Sequence, residues 1–343
     1  MTAPPGIDVA SVTDWLTGRL PDLRPPLTFT RIGDGQSNLT FRVDDAAGRR
    51  FVLRRPPLGE ILASAHDVVR EHRILTALHP TGFPVPRTIG VCEDPAVTGA
   101  SFYAMEHVDG HVLGRLAEAE RLGVEVRAEA ARQIAATLAQ LHAIDLDAVG
   151  LGDLRRPESL ISRQLRRWRR QWEASKTREL ADVDEVAVWL EARMPEERES
   201  VLLHGDYHLH NFVLGGDGRL RAVLDWELCT AGDPLADVGQ MVAYWTELRS
   251  AAGFFREPVA AAEGFPDAAA LVDLYAAAAA RDVAALGYWV AFAYWKIAII
   301  VEGVYRRWLN DPQNGSDAGS LAPAVVRLAA LARDTAAAGA GKI

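Results

Sequence analysis

Cysteine is nearly absent from this sequence. Cys92 and Cys229 are its only two and stand far apart. Neither a disulfide framework nor a cysteine-rich zinc site can be built from them, so a reducing, cytoplasmic location is expected. A basic excess is missing as well. The 37 Lys and Arg are outnumbered by 46 Asp and Glu, a net charge of -9, which excludes the diffuse positive field that holds nucleic acid non-specifically. Long apolar runs are lacking too. The most apolar stretch, Tyr288 to Val301, covers 14 residues and contains Lys296, short of the roughly 20 residues a membrane-spanning helix needs. It reads as a buried core helix, and no membrane association is expected. The N-terminal MTAPPGIDVASVTDWL has no basic region followed by an apolar one, so no secretory leader is expected. No internal repeat is visible.

What is present is an ordinary globular balance. The 343 residues, 49% hydrophobic and 24% charged, suffice for about two domains and need no covalent staple to fold. Residues 8–20 read as a short helix stopped near Pro21, and Pro21–Pro26 as a connector. Residues 1–26 are therefore an N-terminal helix and connector. From Leu27 to Arg55 the period changes. Phe29, Ile32, Phe41, Val43, Phe51 and Leu53 sit in short runs broken by Gly33-Asp34-Gly35 and by residues 44–48, a meander of about three antiparallel strands. Val68, His72, Leu75 and Leu78 fall at spacings of four, three and three and predict a helix, ended by Pro84 and Pro86. Phe102 to Val108 is one more strand candidate. From about Arg127 helices dominate: Ile134, Leu138 and Leu141 line one, and Ile161, Leu165, Trp168 and Trp172 another. The alanine run 276–280 also reads as helix. Val201 to Asp225 is the exception, two short apolar runs flanking polar loops. The expected class is α+β, a small antiparallel-sheet part at 27–107 and a larger, mostly helical part at 108–343.

The chemistry concentrates in His204-Gly205-Asp206-Tyr207-His208-Leu209-His210-Asn211, followed by Val223-Leu224-Asp225-Trp226-Glu227. Phosphoryl transfer needs a base for the acceptor hydroxyl and hard oxygen ligands for the metal that bridges nucleotide phosphates. Asp206 can be the base. Asn211 offers a neutral carbonyl oxygen, and Asp225 offers a carboxylate at the end of an apolar run. A hairpin turning at Gly215-Gly216-Asp217-Gly218 would bring Asn211 and Asp225 to one Mg²⁺. The spacings of five and fourteen match the protein-kinase pattern of catalytic Asp, metal Asn and metal Asp. The three nearby histidines also admit a metallohydrolase with Asp206 and His208 as ligands, but no partner set of ligands stands elsewhere in the chain. His204 is then a packing and hydrogen-bonding residue, and His208 and His210 shape the loop.

This segment resembles the catalytic loop of the aminoglycoside phosphotransferase (APH) family: H-G-D-x-x-x-x-N, an apolar strand, then D-W. Ala231-Gly232-Asp233-Pro234-Leu235-Ala236-Asp237 continues it as the family's G-D-P-x-x-D. The resemblance covers about residues 28–310 and implies a bilobal protein-kinase-like fold. It further implies an ATP- and Mg²⁺-dependent transfer of the γ-phosphate to a small-molecule hydroxyl. In that family's terms Asp237 holds the catalytic loop through backbone hydrogen bonds, while Asp233 also suits a helix N-cap beside Pro234. The stretch Val52-Leu53-Arg54-Arg55-Pro56-Pro57-Leu58-Gly59, running on to His66, is similar to a branch of the family, the kinase-like domain fused to certain acyl-CoA dehydrogenases.

The nucleotide site is then expected in the strand-rich part. Gly33-Asp34-Gly35-Gln36-Ser37-Asn38 joins two strands, where glycine admits close approach of phosphates and Ser37 and Asn38 add donors; a plain hairpin is the alternative. Phe51-Val52-Leu53-Arg54 resembles the third strand of a kinase N-lobe. Alternation puts Val52 toward adenine and Arg54, rather than Arg55, toward the phosphates. Lysine is usual there, and arginine keeps the charge in a bulkier, forked form. Glu71 is expected to pair with Arg54, unless it is a surface glutamate. Met105 would lie behind the adenine ring, read by the backbone of Glu106 and Val108.

The acceptor would lie against the helical part. Arg163, Arg166, Arg167, Arg169 and Arg170 form either a solvated helix face or an anion clamp. A polycationic aminoglycoside would want clustered carboxylates instead, and none is obvious. The acceptor is therefore a small hydroxyl compound, with a hydroxyacyl-CoA or a nucleotide-binding pseudokinase scaffold as other readings. Intact Asp206, Asn211 and Asp225 argue against the last.

Overall fold

Asp8 starts the first helix, α1 (Val9–Thr17). Its carboxylate accepts the Ser11 N–H at 2.8 Å, satisfying one of the unpaired amides of a first turn. Gly18 closes the helix earlier than the expected 8–20 span. The computed structural model describes residues 4–33, 38–58, 67–251, 253–255, 257–311 and 321–339. The chain divides into Met1–Gly110 with Arg221–Glu227, and His111–Leu220 with Leu228–Ile343. Arg221–Glu227, read with the helical part on sequence, thus packs with the first unit.

In that unit β1 (Thr28–Ile32), β2 (Leu39–Asp44) and β3 (Arg50–Arg55) form the expected meander. A buried Asp45 closes the β2–β3 turn by accepting the Ala47 and Arg49 amides at 2.9 and 2.8 Å. Helix α2 (Val68–Leu78) follows, then β4 (Thr88–Cys92), α3 (Pro95–Thr98) and β5 (Phe102–Glu106). The sheet order is β1-β2-β3-β5-β4, with antiparallel neighbours. Val12 and Leu16 of α1 join Phe41, Val43, Leu53 and Phe102 in one core. On α2 the buried face is Val68, Glu71, Ile74, Leu75 and Leu78. It is turned slightly from the expected stripe, so that Glu71 is inside and His72 is half-buried. Arg221–Glu227 is anchored by the Val223 N–H to Pro84 O bond at 2.8 Å and by Trp226 packed edge-on to Phe83.

The second unit is helical: α4 (Leu116–Glu120), α5 (Val124–His142), α6 (Leu160–Ser175), α7 (Ala181–Ala192), then, after short strands, α8 (Leu235–Arg249), α9 (Ala268–Ala279), α10 (Leu286–Asn310) and α11 (Leu321–Ala338). The strands are β6 (Val201–Leu203), β7 (Phe212–Leu214) and β9 (Thr230–Gly232); β8 (Leu220–Val223) leads into the Arg221–Glu227 segment that packs with the first unit. β6 pairs with β9. The Gly215 and Gly218 amides tie off the turn before β8 at 2.8 and 3.0 Å. Ile134, Leu138, Leu141, Ile161, Leu165, Trp168 and Trp172 are buried as the periodicity requires. Helix α10 has 25 residues, longer than the apolar run alone suggested. By length and composition it could cross a membrane, yet 89% of its apolar window is buried inside the protein.

Helix α8 meets α10 at Gly239. A Cβ there would stand 2.6 Å from the Trp289 carbonyl carbon and 2.7 Å from its oxygen, and backbone cannot swing aside. Gly239→Ala gains about 1 kcal/mol in helix propensity but overpacks the crossing at a cost of about 1–3 kcal/mol. A net loss of stability is expected, read as a lower urea midpoint with an unchanged m-value.

Candidate active site

In the first unit, alternation along β3 turns Arg54 onto the face of α2. Its side chain is 10% exposed. Nε lies 3.1 Å from Glu71 Oε2 and Nη2 lies 3.8 Å from Glu227 Oε2. Nη2 also donates to Asp225 Oδ1 at 2.5 Å. Burial alone would disfavour the guanidinium charge, but Glu71, Asp225 and Glu227 more than offset this and hold Arg54 above its ordinary pKa. Burial pushes the Glu71 carboxyl up to about 7 against the pull of Arg54. Glu71 Oε1 accepts the Trp226 N–H at 3.3 Å. Asp225 sits at φ 64°, in the left-handed region, a strained backbone of the kind that clusters at functional sites. Arg55 faces away, bonded to Pro56 O at 3.1 Å and Thr98 O at 3.1 Å.

The other residues expected at the nucleotide site lie in the same sheet. Val52 and Met105 are direct cross-strand partners on β3 and β5, and both are buried. The Glu106 N–H is committed to Arg87 O at 2.9 Å, so this donor does not serve the backbone readout expected of the residue. Val108 follows the strand, half-buried. Asn38 donates to Glu227 Oε2 at 3.2 Å, and its own Oδ1 is buried with no hydrogen-bond partner among the described residues. Ser37 and residues 59–66 lie outside the described residues.

In the second unit the chain leaves β6 through His204 and turns at Gly205, φ 81°. A Cβ at Gly205 would meet Leu228 O at 2.5 Å, so only glycine fits the turn. Asp237, in the first turn of α8, accepts the His204 and Gly205 amides at 2.7 and 2.9 Å. It is 1% exposed, with His142 Nε2 3.5 Å away. His204 Nδ1 accepts the Asp206 N–H at 3.1 Å. Two clamps therefore fix the backbone of Asp206.

The Asp206 carboxylate is fixed as firmly. His208 Nδ1 accepts the His210 N–H at 3.3 Å, which leaves Nε2 to donate to Asp206 Oδ2 at 3.2 Å. Asn211 Nδ2 reaches the same oxygen at 3.1 Å and Asp206 O at 2.9 Å. Gln240 Nε2 donates to Oδ1 at 3.2 Å. Burial alone would raise this carboxyl, but His208, His204 and Lys296 outweigh it and keep Asp206 ionised well below the usual carboxylate range. With its nitrogen committed to Asp206, Asn211 has its amide oxygen left as the group that can accept or ligate. Asp233 accepts the Leu235 N–H at 2.8 Å, and burial raises its carboxyl to about 6.

Gln240 and Lys296 join Asp206 without a sequence motif to announce them. Lys296 Nζ donates to Gln240 Oε1 at 2.8 Å and Gly205 O at 3.4 Å. Its signal was a lone lysine in the otherwise apolar run Tyr288 to Val301. Gln240 left none beyond its place one turn after Asp237. The arginine cluster does not act as one body. Arg166 pairs with Glu158 and Arg169 with Glu191. Arg163 bonds Glu158 O at 3.3 Å, while Arg167 lies over the Trp168 ring.

Among the described residues no group of three or more His, Cys, Asp or Glu stands ready to hold a metal ion. Among those residues the zinc-hydrolase alternative finds no ligand set. The donors that are present suit a different ion. In the first unit Asp225 and Glu227 are carboxylates with 29% and 22% side-chain exposure, hard and partly open oxygen donors of the kind suited to Mg²⁺, which takes one or two protein oxygens and completes its shell with phosphate and water. In the second unit Asn211 carries an amide oxygen, also a hard donor.

A kinase-like α+β fold, a braced aspartate in a His-Gly-Asp loop and an arginine among carboxylates define a phosphotransferase of the kinase class, acting on a hydroxyl group. The chain belongs to the phosphotransferase enzyme family (APH), whose profile matches residues 28–276. It is 32% identical over 336 residues to acyl-CoA dehydrogenase family member 11 of Rattus norvegicus, covering 94% of this chain and 42% of that protein. It is 34% identical over 315 residues to the Gallus gallus protein of the same name, covering 88% and 40%. The chain thus spans about two-fifths of the length of these relatives. Among solved structures, a Ralstonia eutropha protein assigned by name to the aminoglycoside phosphotransferases superposes with a TM-score of 0.82 at 29% identity, over 98% of this chain and 99% of that one. An aminoglycoside phosphotransferase APH(4)-Ia variant, solved with AMP-PNP and hygromycin B, shares the fold at a TM-score of 0.63 and 17% identity, over 96% and 99%.

Proposed function

We propose that this chain transfers the γ-phosphoryl group of ATP to a hydroxyl of a small molecule. The observation that carries this reading is Asp206, ionised and gripped through both carboxylate oxygens. Its remaining lone pairs can accept the hydroxyl proton and orient the oxygen for attack, the role a positioned base plays. Bound Mg-ATP would supply the phosphoryl group and the metal's charge neutralisation. Asn211 and Asp225 would each present an oxygen to the metal, and Arg54, held by Glu71, would neutralise phosphate charge. Asn38, Ser37, Val52, Met105, Glu106 and Val108 would line the nucleotide. The APH(4)-Ia complex with AMP-PNP supports a nucleotide of this kind.

A second reading narrows the acceptor to a hydroxyacyl-CoA. It is favoured by the names of the relatives, which are acyl-CoA dehydrogenases over a greater length than this chain covers. Initial rates with ATP across alcohols, aminoglycosides, macrolides and hydroxyacyl-CoAs test both readings; transfer to none of them counts against the proposal. The metal role is tested separately. Asp225→Ala is expected to weaken Mg-ATP binding about 10-fold or more, since a charge-assisted contact is worth about 1.5–3 kcal/mol. Calorimetry giving an unchanged affinity would remove Asp225 from the metal site.

A further inference from the structure

On α6, Arg166 and Arg169 pair with Glu158 and Glu191, whereas Lys296 of α10 makes no ion pair among the described residues and hydrogen-bonds only to neutral oxygens. A cavity of about 60 Å³ opens among α6, α8, α10 and the turn at Leu203–Gly205, room for roughly four to six water molecules. Lys296, Gln240, Gln164 and Arg167 give it polar walls, and Trp168 and Phe292 apolar ones. Lys296 is 8% exposed. Its ammonium has only neutral oxygens as hydrogen-bond partners, on Gln240 and Gly205, and lies 5.9 Å from the centroid of the Trp168 ring. Among the described residues no carboxylate stands within ion-pair distance of it. Asp237 also lines the cavity, but both its oxygens are engaged by backbone amides.

The Asp206 and Asp237 carboxylates act on this ammonium only through space, and desolvation is offset far better by an anion in direct contact. Burial accordingly pulls the lysine pKa down to about 8. Arg167, exposed and also lining the cavity, adds a second positive charge. An ammonium-bearing acceptor would be repelled here. The location matters as much as the charge. Gln240 holds Lys296 with its amide oxygen and Asp206 with its amide nitrogen, so an anion on the lysine would lie one side-chain amide away from the base.

We propose that this cavity is an anion subsite of the acceptor, in which Lys296, assisted by Arg167, binds a carboxylate on the same small molecule whose hydroxyl Asp206 orients. The proposal rests on the reading of Asp206 as the base. Short aliphatic hydroxycarboxylates and the diols of equal chain length are compared as acceptors, using the full chain with ATP and Mg²⁺. The wild type is expected to favour the hydroxycarboxylate by about 10–100-fold in kcat/KM, the range of one charged hydrogen bond. Lys296→Met is expected to abolish most of that preference through KM, Lys296→Arg to retain more of it, and Arg167→Ala to reduce it in part. Equal use of both acceptors by the wild type, or a preference that survives Lys296→Met, overturns the subsite.

Calorimetric titration with propanoate gives a readout that needs no turnover. Saturable binding that weakens in Lys296→Met supports the subsite, and no binding by the wild type overturns it. A wild type that binds propanoate but phosphorylates no acceptor supports the subsite and counts instead against Asp206 as the base. Should Lys296→Met fold poorly by thermal midpoint, Arg167→Ala, on an exposed side chain, carries the same comparison.

Discussion

Asp206→Ala is expected to lower the rate of phosphoryl transfer by about 10²–10⁴-fold while Mg-ATP binds with an affinity within about twofold of wild type. The expectation follows from what the side chain touches. His208, Asn211 and Gln240 all donate to its carboxylate, and no nucleotide-binding role is assigned to it. Loss should therefore appear in kcat rather than in the KM for ATP. Asp206→Asn sharpens the test. It preserves shape but removes the charge, and it turns an NH₂ toward groups that are themselves donors. It should be nearly as inactive as alanine if charge and proton acceptance matter. The same contacts set the pH response. The folded-state pKa of Asp206 lies below its ordinary value, so its ionised form is stabilised above the usual carboxylate range and lost only as pH falls through that range and beyond. An acid limb of the rate profile near neutrality would have to come from another group. Full transfer by Asp206→Ala with a true acceptor would end the assignment, and calorimetry showing lost nucleotide binding would move the residue to a different role.

The parts legible in sequence were those where one local rule decides. The β1–β3 meander was visible because turn residues punctuate alternating apolar positions, and α5 and α6 because their apolar faces repeat every three or four residues. β4 was not visible. Its five residues, Thr-Ile-Gly-Val-Cys, contain a glycine and a register shift between Thr88 and Gly90, which blur the period of two, and only pairing with β5 makes it a strand. The His-Gly-Asp loop was legible because residue types and spacings there answer to chemistry. The brace behind it was not. Gln240 and Lys296 come from two helices and act through one amide, and a glutamine in a helix looks like any other until its neighbours are known. The arginine cluster left two readings open, a solvated helix face or an anion clamp. Charge density along α6 was plain, but the pairing partners Glu158 and Glu191 are set by tertiary structure.

Asp237→Ala should be among the most damaging substitutions in the helical unit. The carboxylate is buried and accepts the amides of His204 and Gly205, the two residues that immediately precede Asp206. Removing it orphans two amides in an environment that water does not reach, at about 1–3 kcal/mol for each, on the order of 2–6 kcal/mol in all. It also unclamps the loop. Misplacement of a reacting group by about 1 Å can cost about 10²-fold in rate, so activity should fall by that order even where the variant remains folded. Asp237→Asn keeps one acceptor oxygen but turns a donor toward the second amide, and should fall between wild type and alanine in both stability and rate. The pH dependence has a definite sign. Burial alone would raise the Asp237 carboxyl, but His142, His204 and the Gly205 amide outweigh it, and its folded-state pKa is lowered from 3.8. The unfolded chain therefore binds more protons as pH falls, and the stability this residue contributes is present above that value and lost below it. Urea denaturation should show the largest gap between wild type and Asp237→Ala at neutral pH, closing on acidification. A gap that widens in acid, or a variant as stable and active as wild type at neutral pH, would mean that the loop is held by something other than Asp237.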